Sequence, residues 1–149
     1  MGVFPTKILL ATDGSEEAAR AAETAVELSK GTGSEVHLAY VLPSPAQLTG
    51  HHLYSNEMRE SVIERAETEA REFLEAQARR IESDGGKLAE THLGSGEPDK
   101  EILRLAETLD AGLIVIGSRG LGAIGRTLMG SVSDAVVRHA HCPVFVVRH

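Results

Sequence analysis

Five short strand-like runs recur along this chain, separated by stretches with helical spacing, and that alternation restricts the fold more than any other feature. Lys7-Ile8-Leu9-Leu10-Ala11-Thr12 reads as a buried strand stopped by Asp13-Gly14. Ser15 then stands ahead of Glu16, Glu17 and Ala18, which suits a helix N-cap with acids in the first turn. Ala18, Ala22, Ala25, Val26 and Ser29 continue that helix, and Gly31 and Gly33 close it. A second strand spans Glu35 to Val41, and Pro43 and Pro45 open an irregular loop to about His52. A long helix follows from about Ser55 to Ser83, with Met58, Val62, Ala66, Ala70, Phe73, Gln77 and Ile81 as its inward stripe. Lys87 to Leu93 is a third strand and Gly94-Ser95-Gly96 a loop. Pro98 starts a helix with Ile102, Leu103, Ala106 and Leu109 on its apolar face. Ala111 to Ile116 is a fourth strand, Ser131 to His139 a short helix, and Val144 to Val147 the last strand.

Strands alternating with helices predict an α/β fold: a parallel sheet with helices on both faces. Right-handed crossovers lead to one doubly wound domain over residues 1–149, with strand order 3-2-1-4-5. The topological switch then lies between strands 1 and 4, and ligands bind outside the carboxyl ends of strands at such a point. Asp13-Gly14 ends strand 1 and Gly117 ends strand 4, so two turn-rich strand ends meet at one crevice.

The segment after strand 4 is the richest in chemistry. It reads Gly117-Ser118-Arg119-Gly120 and, nine residues on, Gly130-Ser131. Glycines between a buried strand and a helix let the backbone approach an anion, and free N–H groups at the helix start hold it. A Walker-type loop needs a lysine, and none occurs from Ser118 to His149. Gly120-Leu121-Gly122-Ala123-Ile124-Gly125 matches the dinucleotide pattern literally, but it does not follow the first strand. The window where an acid should stand is Val144 to Val147.

The outer frame, Gly117, Gly120, Gly130 and Ser131, resembles the ATP-binding branch of the universal stress protein family. The opening ILLATDGSEEA, Val41 at the end of strand 2 and the closing CPVFVV share that resemblance, which spans all 149 residues. It implies an ATP-binding stress-response or regulatory protein whose nucleotide state modulates partner interactions. By the same resemblance Ala11 and Val41 flank the adenine, and Asp13 lies at the ribose. Gly117 and Gly120 let the loop wrap ribose and phosphates, and Gly130, Ser131, Val132 and Ser133 supply N–H and hydroxyl groups to the phosphates. Ser131 is itself a plausible N-cap, which suits an anion there. Arg119 and Arg126 are the local cations beside it, and Arg119 is expected to help hold the phosphates. The nucleotide is ATP, or ADP or AMP, with Mg2+ riding on the phosphates rather than in a protein cage.

Two other functions remain open at this level: a slow ATPase or phosphoryl-transfer enzyme, and a nucleotide-free dimeric interaction module. The first needs a residue to orient a nucleophile, and the loop offers no evident Gln, Asp or His. No catalytic residue is expected, since Ser15 reads as a cap and no GxSxG elbow is present. No HExxH motif or Cys/His cluster marks a metal site, and His51-His52, His139 and His141 read as loop and helix-end residues.

The net charge of −7 disfavours nucleic acid and anionic membranes, and the 3% aromatic content leaves few side chains on which single-stranded bases could stack. Cys142 is the only cysteine, and no 18-residue apolar run or signal sequence is seen, which suits the cytoplasm. Val144-Phe145-Val146-Val147 would be an uncovered apolar edge. Pairing that strand across a two-fold axis, as the resemblance also implies, predicts a homodimer, with further protein partners unknown.

Overall fold

A computed structural model describes residues 2–50, 55–119 and 129–148. The elements follow in the order β1 (Lys7–Thr12), α1 (Glu16–Thr32), β2 (Glu35–Leu42), α2 (Pro45–Thr49), α3 (Asn56–Ser83), β3 (Leu88–Ser95), α4 (Pro98–Leu109), β4 (Leu113–Gly117), α5 (Ser131–His139) and β5 (Val144–Val147). All strand pairs are parallel, in the order β3-β2-β1-β4-β5 expected from the alternation. The central strands β1 and β4 and most of β2 are buried on both sides, whereas β3, at the edge, is largely exposed. Ile8, Leu10, Val36, Leu38, Leu113 and Val115 point to a core shared with α1 and α3. Their neighbours Leu9, Ala11, Ala39, Ile114 and Ile116 point the opposite way, to a core shared with α4 and α5. β1 lies at the centre, and Ile8, Leu9 and Leu10 are wholly buried. No helix among the described residues is long and apolar enough to cross a membrane.

Several local features differ from the sequence expectation, each for a physical reason. Residues 45–49 form α2 rather than loop. The Ser44 hydroxyl accepts from the Gln47 amide while the Gln47 side chain accepts from the Ser44 amide, and Pro45 takes the first helical position. His51 and His52 lie outside the described residues. β3 runs on through Gly94 and Ser95, because these pair with Val41 and Leu42.

The inward stripe of α3 is Ala70, Leu74, Ala78 and Ile81, one residue off the expected Phe73 and Gln77, and Met58 is 56% exposed. A helix of 28 residues is about 42 Å long, whereas a strand of 8 residues spans about 26 Å. The first turns of α3 therefore have no sheet to cover, and only its second half is a core helix. Phe73 is displaced to the flank, where its ring packs on Tyr40 at 5.2 Å between centroids and lies beside Gly14.

Candidate functional site

The carboxyl ends of β1 and β4 adjoin, as the switch-point argument requires. Leu10 pairs with Val115, and each strand continues two residues further, to Thr12 and to Gly117. After β1 the chain turns sharply. The Asp13 carboxylate accepts from the Ser15 amide at 2.9 Å, Gly14 takes a φ of +84°, and the Ser15 hydroxyl caps α1 by accepting from the Ala18 amide. Ala11 and Val41 share the α4/α5 face: Ala11 pairs with Ala39, and Val41 stands two residues beyond it.

Glu17 is the residue that sequence reasoning missed. It lies in the first turn of α1, with a side chain only 9% exposed. One carboxylate oxygen accepts from the Ser118 hydroxyl at 2.6 Å and the Arg119 amide at 2.7 Å. The other accepts from the Arg119 guanidinium, at 3.0 Å from Nε and 2.9 Å from Nη2. Burial raises the Glu17 pKa, but the bonds from Ser118 and Arg119 and the guanidinium charge outweigh it, and the pKa lies below its ordinary value. Glu17 looked like an ordinary first-turn acid, because its partners are a hundred residues away in sequence and only the fold joins them.

Glu17 also explains Gly117. A Cβ at that position would stand 3.0 Å from both the backbone carbonyl carbon and the Cβ of Glu17. The glycine lets the first turn of α1 lie directly against the end of β4. This packing requirement exists without any ligand.

Ser118 ties the crevice together. Its amide donates to Val147 at 2.8 Å, its hydroxyl to Glu17, and its carbonyl accepts from the Gly130 amide and the Ser133 hydroxyl, both at 2.6 Å. The end of β4 and the start of α5 are thereby closed on each other across residues 119–129. Gly120, Arg126 and the inner glycines Gly122 and Gly125 lie outside the described residues.

α5 begins differently from the sequence expectation. Gly130, not Ser131, is its N-cap, and Ser131 is the first helical residue and exposed. A glycine has no side chain to cap with, and the amides of a first helical turn have no partner within the helix. By contrast α1, α2 and α3 each start at a serine whose hydroxyl takes a first-turn amide. Ser133 is buried with its hydroxyl committed to Ser118, and Val132 packs against the α4/α5 core. Amides of Ser131, Val132 and Ser133 at a helix start form an anion-binding arrangement: partial positive charge, directed donors and no competing cap.

Of the residues singled out from sequence, the structure thus gathers Asp13, Gly117, Arg119, Gly130, Ser131, Val132 and Ser133 around the β1–β4 crevice, with Ala11 and Val41 on the adjoining face of the sheet. Arg119 faces Glu17 in this arrangement, so its guanidinium anchors the loop start. A cavity of about 170 Å³ lined by Leu42, Leu48, Ile63, Arg71 and Leu93 lies under α3, to the side of the crevice.

Residues 5–148 match the profile of the Universal stress protein family. The chain is 33% identical to universal stress protein Sll1388 of Synechocystis, covering 96% of this chain and 97% of that protein. It is 34% identical to universal stress protein YxiE of Bacillus subtilis, covering 95% and 98%. Among solved structures it is similar to the universal stress protein from Archaeoglobus fulgidus in complex with dAMP. That likeness has a TM-score of 0.66 and 26% identity, and covers 99% of this chain and all of that one, 100%.

Proposed function

This chain belongs to the universal stress protein family, and from that premise we propose that it is an adenine-nucleotide-binding regulatory protein that holds ATP at the β1–β4 crevice. The observation that carries the reading is the start of α5. It is a helix capped by glycine, tied by Ser118 to the switch-point strand, with its first amides available to a phosphate. The dAMP complex of the Archaeoglobus relative supports a nucleotide as the ligand class. In this reading Ala11 and Val41 flank the adenine, Asp13 meets the ribose, and Gly117 and Gly120 let the loop wrap the ribose and phosphates. The amides of Ser131, Val132 and Ser133 hold the phosphates, and Gly130, whose own amide donates to Ser118, leaves them room to approach. Mg2+ is carried by the phosphates. Arg119 either stays on Glu17 and keeps the loop start in place or swings onto a phosphate. Binding alters the exposed surface of the crevice, and the partner reads that change. The β5 edge, with Phe145 45% exposed, pairs with a second copy to give a homodimer.

Thermal denaturation with MgATP tests the reading. Ligand at 100 times Kd adds about 2.7 kcal/mol, and each kcal/mol moves the midpoint of a domain this size by about 2–4 °C. Ser131→Asp sharpens the test. A carboxylate at the first helical position suits the helix dipole, so the free protein keeps its stability or gains about 0.3–1 kcal/mol. The same charge about 4 Å from a phosphate repels it by about 1–4 kcal/mol. A shift in the wild type that Ser131→Asp loses supports the site. No shift with ATP, ADP or AMP at millimolar levels overturns nucleotide binding and leaves the nucleotide-free interaction module.

A further inference from the structure

Two neighbouring strands carry the same short pattern, Glu35-Val36-His37 on β2 and Glu90-Thr91-His92 on β3. Residues two apart on a strand share a face, so each strand presents its acid and its imidazole together. The register then decides whether the two pairs meet. Val36 pairs with Leu88, and an unbroken ladder would put Glu90 and His92 opposite Leu38 and Tyr40, on the other face. A bulge between Val36 and His37 changes the parity, so that His37 pairs with Glu90 and Ala39 with His92. All four polar side chains are brought to one side of the sheet.

The geometry there is that of a ligand set. His37 Nδ1 lies 3.1 Å from His92 Nε2, and Glu90 Oε2 lies 3.5 Å from the same His92 nitrogen. One donor atom from each of the three residues falls within 4.8 Å of the others. Tetrahedral zinc with ligands at about 2.0–2.1 Å sets its donor atoms roughly 3.3 Å apart. Behind His37, Glu35 Oε1 lies 3.1 Å from Nε2, a contact that favours the Nε2–H tautomer, in which the Nδ1 lone pair faces His92. A carboxylate on the far nitrogen of a ligating histidine is the usual orienting partner of such a ring. The His37 side chain is 6% exposed, His92 17% and Glu90 64%, so the donors are held on the protein side and open on the other.

We propose that His37, His92 and Glu90 bind one divalent transition-metal ion, Zn2+ by donor set and spacing, with Glu35 orienting His37 and water completing the shell. The ion takes the place of the hydrogen between the two facing nitrogens, His92 then carrying its proton on Nδ1, and the Glu90 and Glu35 carboxylates offset the ion's charge. Expecting no metal site from the absence of HExxH or a Cys/His cluster overlooked ligands supplied two residues apart on each of two paired strands. The site lies toward the amino-terminal end of β2, roughly 13 Å along the strand from Val41, and is independent of the nucleotide crevice.

Chelator-stripped full-length protein, titrated with Zn2+ against a chromophoric chelator, tests this. One ion per chain is expected, with Co2+ giving the intense visible absorption of a tetrahedral site. Glu90→Gln and His92→Asn should each weaken Zn2+ by at least about tenfold, and Glu35→Gln by roughly 10–100-fold. Glu90 is exposed enough for its variant to fold normally, as far-UV circular dichroism would confirm. A His139→Asn/His141→Asn variant should bind as the wild type does. Failure to compete for Zn2+, affinity unmoved by Glu90→Gln and His92→Asn, or loss confined to the His139/His141 variant overturns the proposal. None of these outcomes touches the MgATP shift.

Discussion

Replacing Glu17 by Gln should be among the most damaging isosteric changes available near the crevice. The side chain keeps its volume, so no cavity opens, and the loss is confined to charge and hydrogen bonding. In the wild type both carboxylate oxygens are used, one by Ser118 and the Arg119 amide, the other by the guanidinium. A glutamine can offer its carbonyl to only one of these groups. If it faces the guanidinium, the NH2 meets the Arg119 amide, donor against donor, and that half-buried N–H loses its Glu17 acceptor at a cost of up to about 1–3 kcal/mol. The Arg119 guanidinium, on a side chain 17% exposed, also loses the Glu17 carboxylate charge. Breaking one partner of a buried pair costs about 3–5 kcal/mol, which at about 2–4 °C per kcal/mol is a fall of roughly 6–20 °C in Tm. Urea denaturation at pH 7 measures it, and the deficit should persist in high salt because a buried pair is poorly screened.

The pH dependence gives an internal control for the same variant. The folded Glu17 pKa lies below the ordinary value of 4.5. Its contribution is therefore complete above that unfolded value and disappears as the pH falls through the lower, folded one. Wild type and Glu17→Gln should differ fully at neutral pH and converge in acid. A neutral-pH difference below about 1 kcal/mol, or a difference that does not shrink on acidification, refutes the reasoning.

Gly117→Ala should destabilise by about 1–3 kcal/mol in chemical denaturation without any nucleotide present, because its Cβ would stand 3.0 Å from the Glu17 backbone. A neutral result would mean that α1 can retreat, and would return Gly117 to a purely ligand-facing role. If the proposed β5 homodimer forms, the wild type should sediment as a dimer in analytical ultracentrifugation and Phe145→Lys, which places a charge on that exposed edge, as a monomer. An unaltered dimer would place the interface elsewhere.

Much of the fold could be read from the chain because the periodicities are local. The run Ile8-Leu9-Leu10 must be buried on both faces, and only a parallel sheet between helices offers that. The serine cap at Ser15 is likewise visible within a few residues of the turn it closes. The misplaced stripe of α3 shows where local reading fails. Apolar spacing fixes a face only where something covers it, and nothing in the helix itself tells where the sheet stops. The site divides in the same way. Gly130-Ser131 was visible as the start of a helix, although the cap fell on the glycine. Glu17 was not, because its role depends on Arg119 a hundred residues later. The His37–His92 pair was hidden twice over, by sequence distance and by a bulge that reverses which face His92 takes.

The knot at Ser118 separates the length of a loop from the stability of its frame. With the Ser118 carbonyl holding both Gly130 and Ser133, the two ends of residues 119–129 are fixed relative to each other by the folded core. A longer segment between them pays only closure entropy, about 0.6 kcal/mol for each doubling in length. Neither β4 nor α5 has to move to accept it. Insertions there should be tolerated by the fold, so this is the part of the chain where a new ligand preference could be written, by evolution or at the bench, without renegotiating the architecture.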